Sequence, residues 1–299
     1  MYKFLLFKEL KSIYKIISRH PLTSHQKGKA FSRFLKWQIA KRLMPYPMIY
    51  PFVNDIKIIM DKGLTSATAQ YYMGLSEFEE MSFILHFLQK DDLFVDVGAN
   101  VGCFTLLASG IKAANTIAIE PIPENFQYLR NNLIINGLEN KVEALRIGLG
   151  DKQGFLNFTQ NVSQNNHVAN ENDIDIINIE INTLDAVLSN KKPILLKIDV
   201  EGFEKAVIDG ASHTLKQESL EAIIIELVGL GSRYGFSESD IQIILSEHGF
   251  NKYQYNPFER ELILTKNLGH HNTIYIRNIN FVKKRVSVAP TFTILNYQI

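Results

Sequence analysis

The segment that most constrains this chain is Leu93–Thr105, LFVDVGANVGCFT. An apolar run from Leu93 to Val95 ends in Asp96. A glycine turn follows through Gly98, Ala99, Asn100, Val101 and Gly102, and Phe104 to Ala108 open a helical run. Strand, glycine turn and helix in that order are the opening unit of a nucleotide-binding α/β half. The glycines let backbone approach a ligand, and the helix start offers free N–H groups to an anionic group such as a carboxylate.

Beyond residue 91 the pattern alternates. Strands are predicted at Leu93–Val97, Thr116–Glu120, Val142–Ile147, Ile194–Asp199 and Ala222–Leu227, with helices at Cys103–Ser109, Pro123–Asn136, Glu204–Leu215 and Glu238–His248. The runs IAIE, ILLKID and AIIIEL are almost uninterrupted, as expected of a parallel sheet covered on both faces. Lys197 is the charge that fits such a run least well. After Gly148 the alternation stops. Gly150–Thr159 reads as a hairpin and Asn161–Asp175 as a long polar loop, a length that usually has a function. Three more strands are predicted at Lys252–Asn256, Glu261–Thr265 and Asn272–Arg277.

Residues 1–75 read as a mostly helical extension cut by Pro21, Pro45, Pro47 and Pro51. His25–Leu43 forms a helix carrying Trp37, Phe52–Met60 a strand, and Thr65–Gly74 a loop holding Tyr71 and Tyr72. Ser76–Leu88 has helical period, with Ser76 as cap and Glu79 placed for a capping box. The main domain is expected over 76–285, with a tail at 286–299 and Lys283–Arg285 on a solvated face.

The chain has 299 residues, 46% hydrophobic and 21% charged, enough to bury a core. A formal charge of +1 excludes a bulk field that would recruit nucleic acid or an anionic membrane. Cys103 stands alone, so no internal disulfide forms, which fits a reducing, cytoplasmic location. No apolar run is long enough to span a bilayer. Lys3, Lys8, Glu9, Lys11 and Lys15 interrupt the N-terminal segment, which excludes a signal-peptide core. Phe4, Phe7, Leu10, Tyr14 and Ile17 fall near helical spacing. Residues 1–20 therefore form a helix that docks on its own domain or meets a membrane surface or partner.

Gly98-x-Asn100-x-Gly102 with Asp96 in front departs from the dinucleotide pattern, because an acidic side chain there repels pyrophosphate. It suits a cationic partner such as the α-amino group of a methionine moiety. Glu120, about twenty residues on, suits both ribose hydroxyls. The combination favours S-adenosylmethionine over NAD. KIDVEGFE at 197–204 is the second chemical centre. Asp199 ends the fourth strand and Glu201 follows on the same loop, placed for a base or for a divalent metal, whose third ligand is not evident. Gly202 permits a sharp turn, and Glu204 sits at a helix start. Glu226 ends the next strand, with Arg233 and Tyr234 beyond it. His167, in NNHVAN, is the histidine placed for a base or substrate contact. His20, His25, His86, His213, His248, His270 and His271 show no metal-ligand spacing.

FVDVGANVGCFTLLAS, IAIEPIPENFQYLRNNLIING, VEALRIGLGDKQGFLNFT, NTLDAVL, LLKIDVEGFEKAVIDGA and AIIIEL, in this order over about residues 76–280, resemble the FkbM-type family of S-adenosylmethionine-dependent methyltransferases. The resemblance implies a class I methyltransferase α/β fold, Rossmann-like, with a seven-stranded mostly parallel sheet, helices on both faces and the last strand antiparallel. Carried over by position, Asp96, Gly98, Asn100 and Gly102 hold the methionine end, Glu120 the ribose and Asp151 the adenine edge. Glu77 or Glu79 falls where the family often places an acidic residue near the cofactor. The resemblance also implies O-methylation, often of sugars or hydroxylated natural products. DVEG stands where nucleic-acid amino-methyltransferases typically carry N-P-P-Y, so no nucleic-acid acceptor is expected. Trp37, Tyr71 and Tyr72 are compatible with stacking on sugar rings. An NAD-dependent oxidoreductase and a non-catalytic cofactor-binding module are the alternatives. The acceptor's identity and the oligomeric state are not legible in the sequence.

Overall fold

The computed structural model describes residues 2–160, 166–269 and 272–299, with side chains from residue 11 onward. His270, His271 and part of the long polar loop, 161–165, lie outside the described residues. An eight-stranded sheet organises the chain. Its strands are β1 Leu93–Val97, β2 Asn115–Ile119, β3 Val142–Leu145, β4 Leu195–Ile198, β5 Ala222–Glu226, β6 Asn251–Asn256, β7 Glu261–Leu264 and β8 Asn272–Ile276. The order across the sheet is β7-β6-β8-β5-β4-β1-β2-β3. β3, β2, β1, β4 and β5 are parallel, and β8 enters antiparallel between β5 and β6. All eight strands predicted from the residues are present, one more than the seven that the resemblance implies. The edge strand β7 folds back on β6 as a hairpin, with Leu262 buried and Ile263 and Leu264 exposed.

Period-two alternation sorts the strand side chains between two cores. Val95, Val97, Leu196, Ile198, Ile223 and Ile225 face a core shared with Val207, Ile241 and Leu245. Phe94, Leu195 and Ile224 face a core with Phe83, Phe87 and Leu107. The discomfort of Lys197 is thereby resolved. It lies opposite Asp96 in the β1–β4 register and shares its face, so the buried cation has a buried anion beside it.

Helices flank the sheet: α1 Tyr2–Arg19, α2 Lys27–Leu43, α3 Thr65–Met73, α4 Phe78–Phe87, α5 Pro123–Asn136, α6 Glu204–Asp209, α7 Glu238–Glu247 and α8 Ile279–Ser287. After the glycine turn, a short helix at Cys103–Thr105 continues as a π-turn over Leu106–Ile111. Several expectations are corrected. Thr65–Gly74 is mostly helix, because Ala67, Thr68 and Tyr72 bury one face. Phe52–Met60 contributes only Lys57–Met60, paired with Met48–Pro51. Ser76 does not cap α4: Glu77 takes that place without a capping bond, and the Ser76 hydroxyl accepts from Gln70 Nε2 at 2.7 Å.

Gly154–Thr159 does not fold on itself. It pairs with Ile176–Asn182, which also pairs with Gly148–Leu149, so the polar segment becomes the connection of a three-stranded sheet beside the main one. Lys283 and Lys284 are exposed as expected, but Arg285 and the segment beyond it are not a free tail. Arg285 pairs with Asp92 and lies over Phe281 and Phe87, while Phe292, Ile294 and Ile299 are buried. Arg260 donates to the carbonyls of Ala289, Pro290 and Ile299, which fastens that segment to the β6–β7 turn.

Candidate active site

A cavity of about 340 Å³ opens over the C-terminal ends of β1, β2, β4 and β5, the crevice where ligands bind in open α/β sheets. Gly98 has φ +78°, and a Cβ there would meet the Asp199 carbonyl at 1.8 Å, so only glycine lets the two strand ends approach this closely. The backbone N–H groups of Gly98 and Ala99 both donate to Ile119 O, binding the turn to β2. Asn100 donates its N–H to Glu120 Oε2 at 2.8 Å. Ile122 N–H occupies Glu120 Oε1 at 2.9 Å, so the carboxylate is fixed facing the cavity. Burial pushes Glu120 up to about 7, against these hydrogen bonds.

Asp96 is 1% exposed. Its Oδ2 accepts from Thr105 Oγ1 at 2.7 Å, and its Oδ1 has no partner. Lys197 donates to Asp199 Oδ2 at 2.8 Å and lies 4.8 Å over the Phe104 ring. Burial opposes its charge, but Asp199, Asp96 and Glu77 together hold its pKa above the ordinary lysine value. Glu77 accepts from Asn272 Nδ2 at 2.7 Å, and burial raises its pKa despite Lys197. Asn272 is 3% exposed and its Oδ1 is unpartnered.

Asp199, Glu201 and Glu226 each place a carboxylate oxygen within 4.8 Å of the others. Burial and then Asp199 raise both glutamates, Glu201 to about 7. Three hard oxygen donors at this spacing are also a donor set for a divalent cation, with Glu226 as the third ligand that sequence reading lacked. Glu204 is a structural clamp: its Oε1 accepts from the N–H groups of Val200 and Gly202 and holds the loop carrying Glu201. Glu201 itself has φ 56°.

Of the residues singled out in the sequence, Gly98, Asn100, Glu120, Glu77, Asp199 and Glu201 line the cavity. Asp96 is not a lining residue; it is buried opposite Lys197 in the β1–β4 register. Asp151 is exposed and does not line it; Ile147, Gly148 and Leu149 do. Gly102 does not line the cavity; it packs against α5, where a Cβ would meet Leu129 at 2.6 Å. Glu79 is not a lining residue. The His167 ring lies 3.4 Å from Asp173, and its neighbours Asn166 and Val168 reach the cavity instead. Tyr234 donates to Val168 O at 2.7 Å and packs edge-on against Phe203, so it braces the loop. Arg233 points at Glu201 O, and Trp37, Tyr71 and Tyr72 lie on the helical extension, outside the cavity lining. Asn272 was missed as a site residue. Lys197 stood out in the sequence as the charge that fits its strand least well, and Asn272 carried no signal because it joins the site through the insertion of β8 beside β5.

A family model for the methyltransferase FkbM domain matches residues 96–264. The chain belongs to the FkbM methyltransferase family. It is 29% identical over 174 residues to hexuronic acid methyltransferase AglP of Haloferax volcanii, covering 57% of this chain and 68% of that one. It is 26% identical over 200 residues to methyltransferase sdnD of Sordaria araneosa, covering 55% and 75%. Among solved structures, precorrin-6y C5,15-methyltransferase of Geobacter metallireducens aligns with TM-score 0.43 and 15% identity over 76% of this chain and 98% of that one. S-adenosylmethionine is therefore the methyl donor of this methyltransferase. The cavity fits it. The unpartnered Asp96 Oδ1 and Asn272 Oδ1 are buried acceptors near the glycine turn, suited to an amino group. Glu120 at the end of β2 suits the ribose, and Ile122, Phe158 and Leu149 offer an apolar wall for an adenine.

Proposed function

We propose that this protein methylates an oxygen of a saccharide. The observation that carries the reading is the carboxylate trio Asp199, Glu201 and Glu226 at the strand ends, beside the glycine turn. When bound, S-adenosylmethionine supplies an electrophilic methyl group on a sulfonium. The chain's task is to hold an acceptor hydroxyl in line and remove its proton as the new C–O bond forms. Glu201 is the residue we assign as base, since a pKa of about 7 is matched to proton transfer near neutrality. Glu226, raised further by its neighbours, donates a hydrogen bond to the acceptor, and Lys197 fixes Asp199. The name of the Haloferax volcanii relative, a hexuronic acid methyltransferase, supports a sugar over other acceptors. A hydroxylated non-sugar natural product, the other acceptor class that the resemblance implies, is the second reading. In this reading residues 76–285 are the catalytic unit.

The test is methyl transfer from labelled S-adenosylmethionine to a panel of hexuronic acid, hexose and polyphenol acceptors, with EDTA and with Mg²⁺. A labelled saccharide is expected, with turnover falling roughly 10²–10⁴-fold in Glu201→Gln while cofactor binding is retained. Labelling of polyphenols alone would refute the sugar assignment. Turnover abolished by EDTA and restored by Mg²⁺ would reassign the trio as cation ligands.

A further inference from the structure

The formal charge of +1 conceals an uneven distribution. Residues 1–50 carry eleven Lys or Arg against one acidic residue, Glu9, a net +10, so the remainder carries −9. The same segment bears an apolar stripe that stays exposed among the described residues. On α2, Leu35, Ile39 and Leu43 recur every four residues and are 41%, 60% and 74% exposed. Tyr46, 75% exposed, continues the stripe beyond the helix, and Lys36 and Arg42 are exposed beside it. The other face of α2 is already buried through Ala30, Phe34 and Trp37. The helix thus has two apolar faces and uses only one of them for folding.

Next to the stripe a groove of about 560 Å³ runs between α1, α2 and α3, walled by Leu35, Ile39, Leu64 and Tyr72, with Lys41 and Arg42 also lining it. It meets a second cleft at Ile13, Thr65 and Tyr72. That cleft shares Ile16, Ser66, Met73 and Glu77 with the cofactor cavity. Clefts that share lining residues thus lie in series between the exposed face of α2 and the active site.

We propose that this face of α2 docks the enzyme on an anionic lipid bilayer, with the aliphatic stripe in the interface and the basic residues toward the headgroups. Charge complementarity and exposed aliphatic area act together only on such a surface. A nucleic acid would meet the positive charge but gain nothing from Leu35, Ile39 and Leu43. A second copy would bring a net +10 against a net +10. Docking places the cleft beside α1 at the lipid surface, and it does not depend on which acceptor the active site takes.

The experiment is co-sedimentation of the full chain with vesicles of phosphatidylcholine alone and of phosphatidylcholine with phosphatidylglycerol, at low and high salt. Binding to the anionic vesicles, weakened by salt, and lost by about tenfold or more in a Leu35→Glu, Ile39→Glu, Leu43→Glu variant, is the expected result. The variant should keep wild-type S-adenosylhomocysteine affinity and melting temperature, since all three side chains are exposed. No binding to anionic vesicles overturns the proposal. So does equal binding by the variant, which would mean charge acts alone. A dimer that the variant dissolves, or RNA binding without vesicle binding, overturns it as well. None of these outcomes bears on methyl transfer to a soluble saccharide.

Discussion

Lys197 is the residue on which the site's electrostatics turn. Asp96, Asp199 and Glu77 converge on its ammonium inside a sheet face, and no other cation is among the causes acting on Asp96. Lys197→Met should leave uncompensated buried carboxylates and cost about 3–5 kcal/mol, read by denaturant unfolding. A loss under 1 kcal/mol, within the surface-pair range, would show that the carboxylates simply take up protons. Glu120 offers a sharper test of the cofactor site. Burial holds it near 7, and ribose hydroxyls need the carboxylate form as acceptor, so S-adenosylhomocysteine affinity should rise as pH climbs through about 7. Glu120→Gln should weaken binding by roughly 1.5–3 kcal/mol and flatten that part of the pH dependence. A variant with the wild-type pH profile would place the ribose elsewhere.

At the level of elements, the C-terminal segment shows how tertiary contacts reassign what looks like a tail. Residues 288–299 have weak local pattern, yet Phe292, Ile294 and Ile299 are buried in the same core as α4 and α8. Each such side chain is worth roughly 1.5–3 kcal/mol of burial. Removing residues 291–299 should therefore lower the melting temperature markedly and loosen the β6–β7 turn held by Arg260. Calorimetry showing an unchanged midpoint would return the segment to the role of a tail. The three-stranded sheet makes the same point. The reading of Gly150–Thr159 as a local hairpin failed because its true partner, Ile176–Asn182, lies across the polar loop. Alternation marks a strand but does not name its mate.

For the whole molecule, raised glutamates gather in and around the cavity; Glu120 and Glu201 line it, and Glu80 and Glu204 do not. Glu80, Glu120, Glu201 and Glu204 all titrate above the ordinary glutamate range, chiefly through burial. A carboxyl whose folded pKa exceeds its unfolded value binds more protons when folded, so its contribution falls as pH rises between those two values. His20 and His86 act oppositely: burial lowers both to about 4, and their contribution is lost as pH falls from about 6.5 toward 4. The carboxyls outnumber the histidines. The ligand-free protein should melt lower at pH 8 than at pH 6, by scanning calorimetry, with saturating S-adenosylhomocysteine adding stability at both. A midpoint that rises across that interval would contradict the buried-acid picture.

The glycine turn, the five parallel strands and most of the flanking helices were readable because each is a local signal: an apolar run, a period, a cap or a glycine. Asp96, Gly98, Asn100, Glu120, Asp199 and Glu201 were readable for a related reason, since strand ends and the turns after them are fixed by the same runs. The sequence by itself thus determined the fold class and one side of the cavity. Tertiary structure decided the rest. Insertion of β8 beside β5 brought Asn272 opposite Glu226 and closed the cavity. The packing of α1 and α3 supplied another wall. The His167 ring pairs with Asp173, and Asp151 is exposed while Gly148 and Leu149 line the cavity. Apart from the His167–Asp173 pair, these depend on contacts between residues tens to nearly two hundred positions apart, and no local period encodes them.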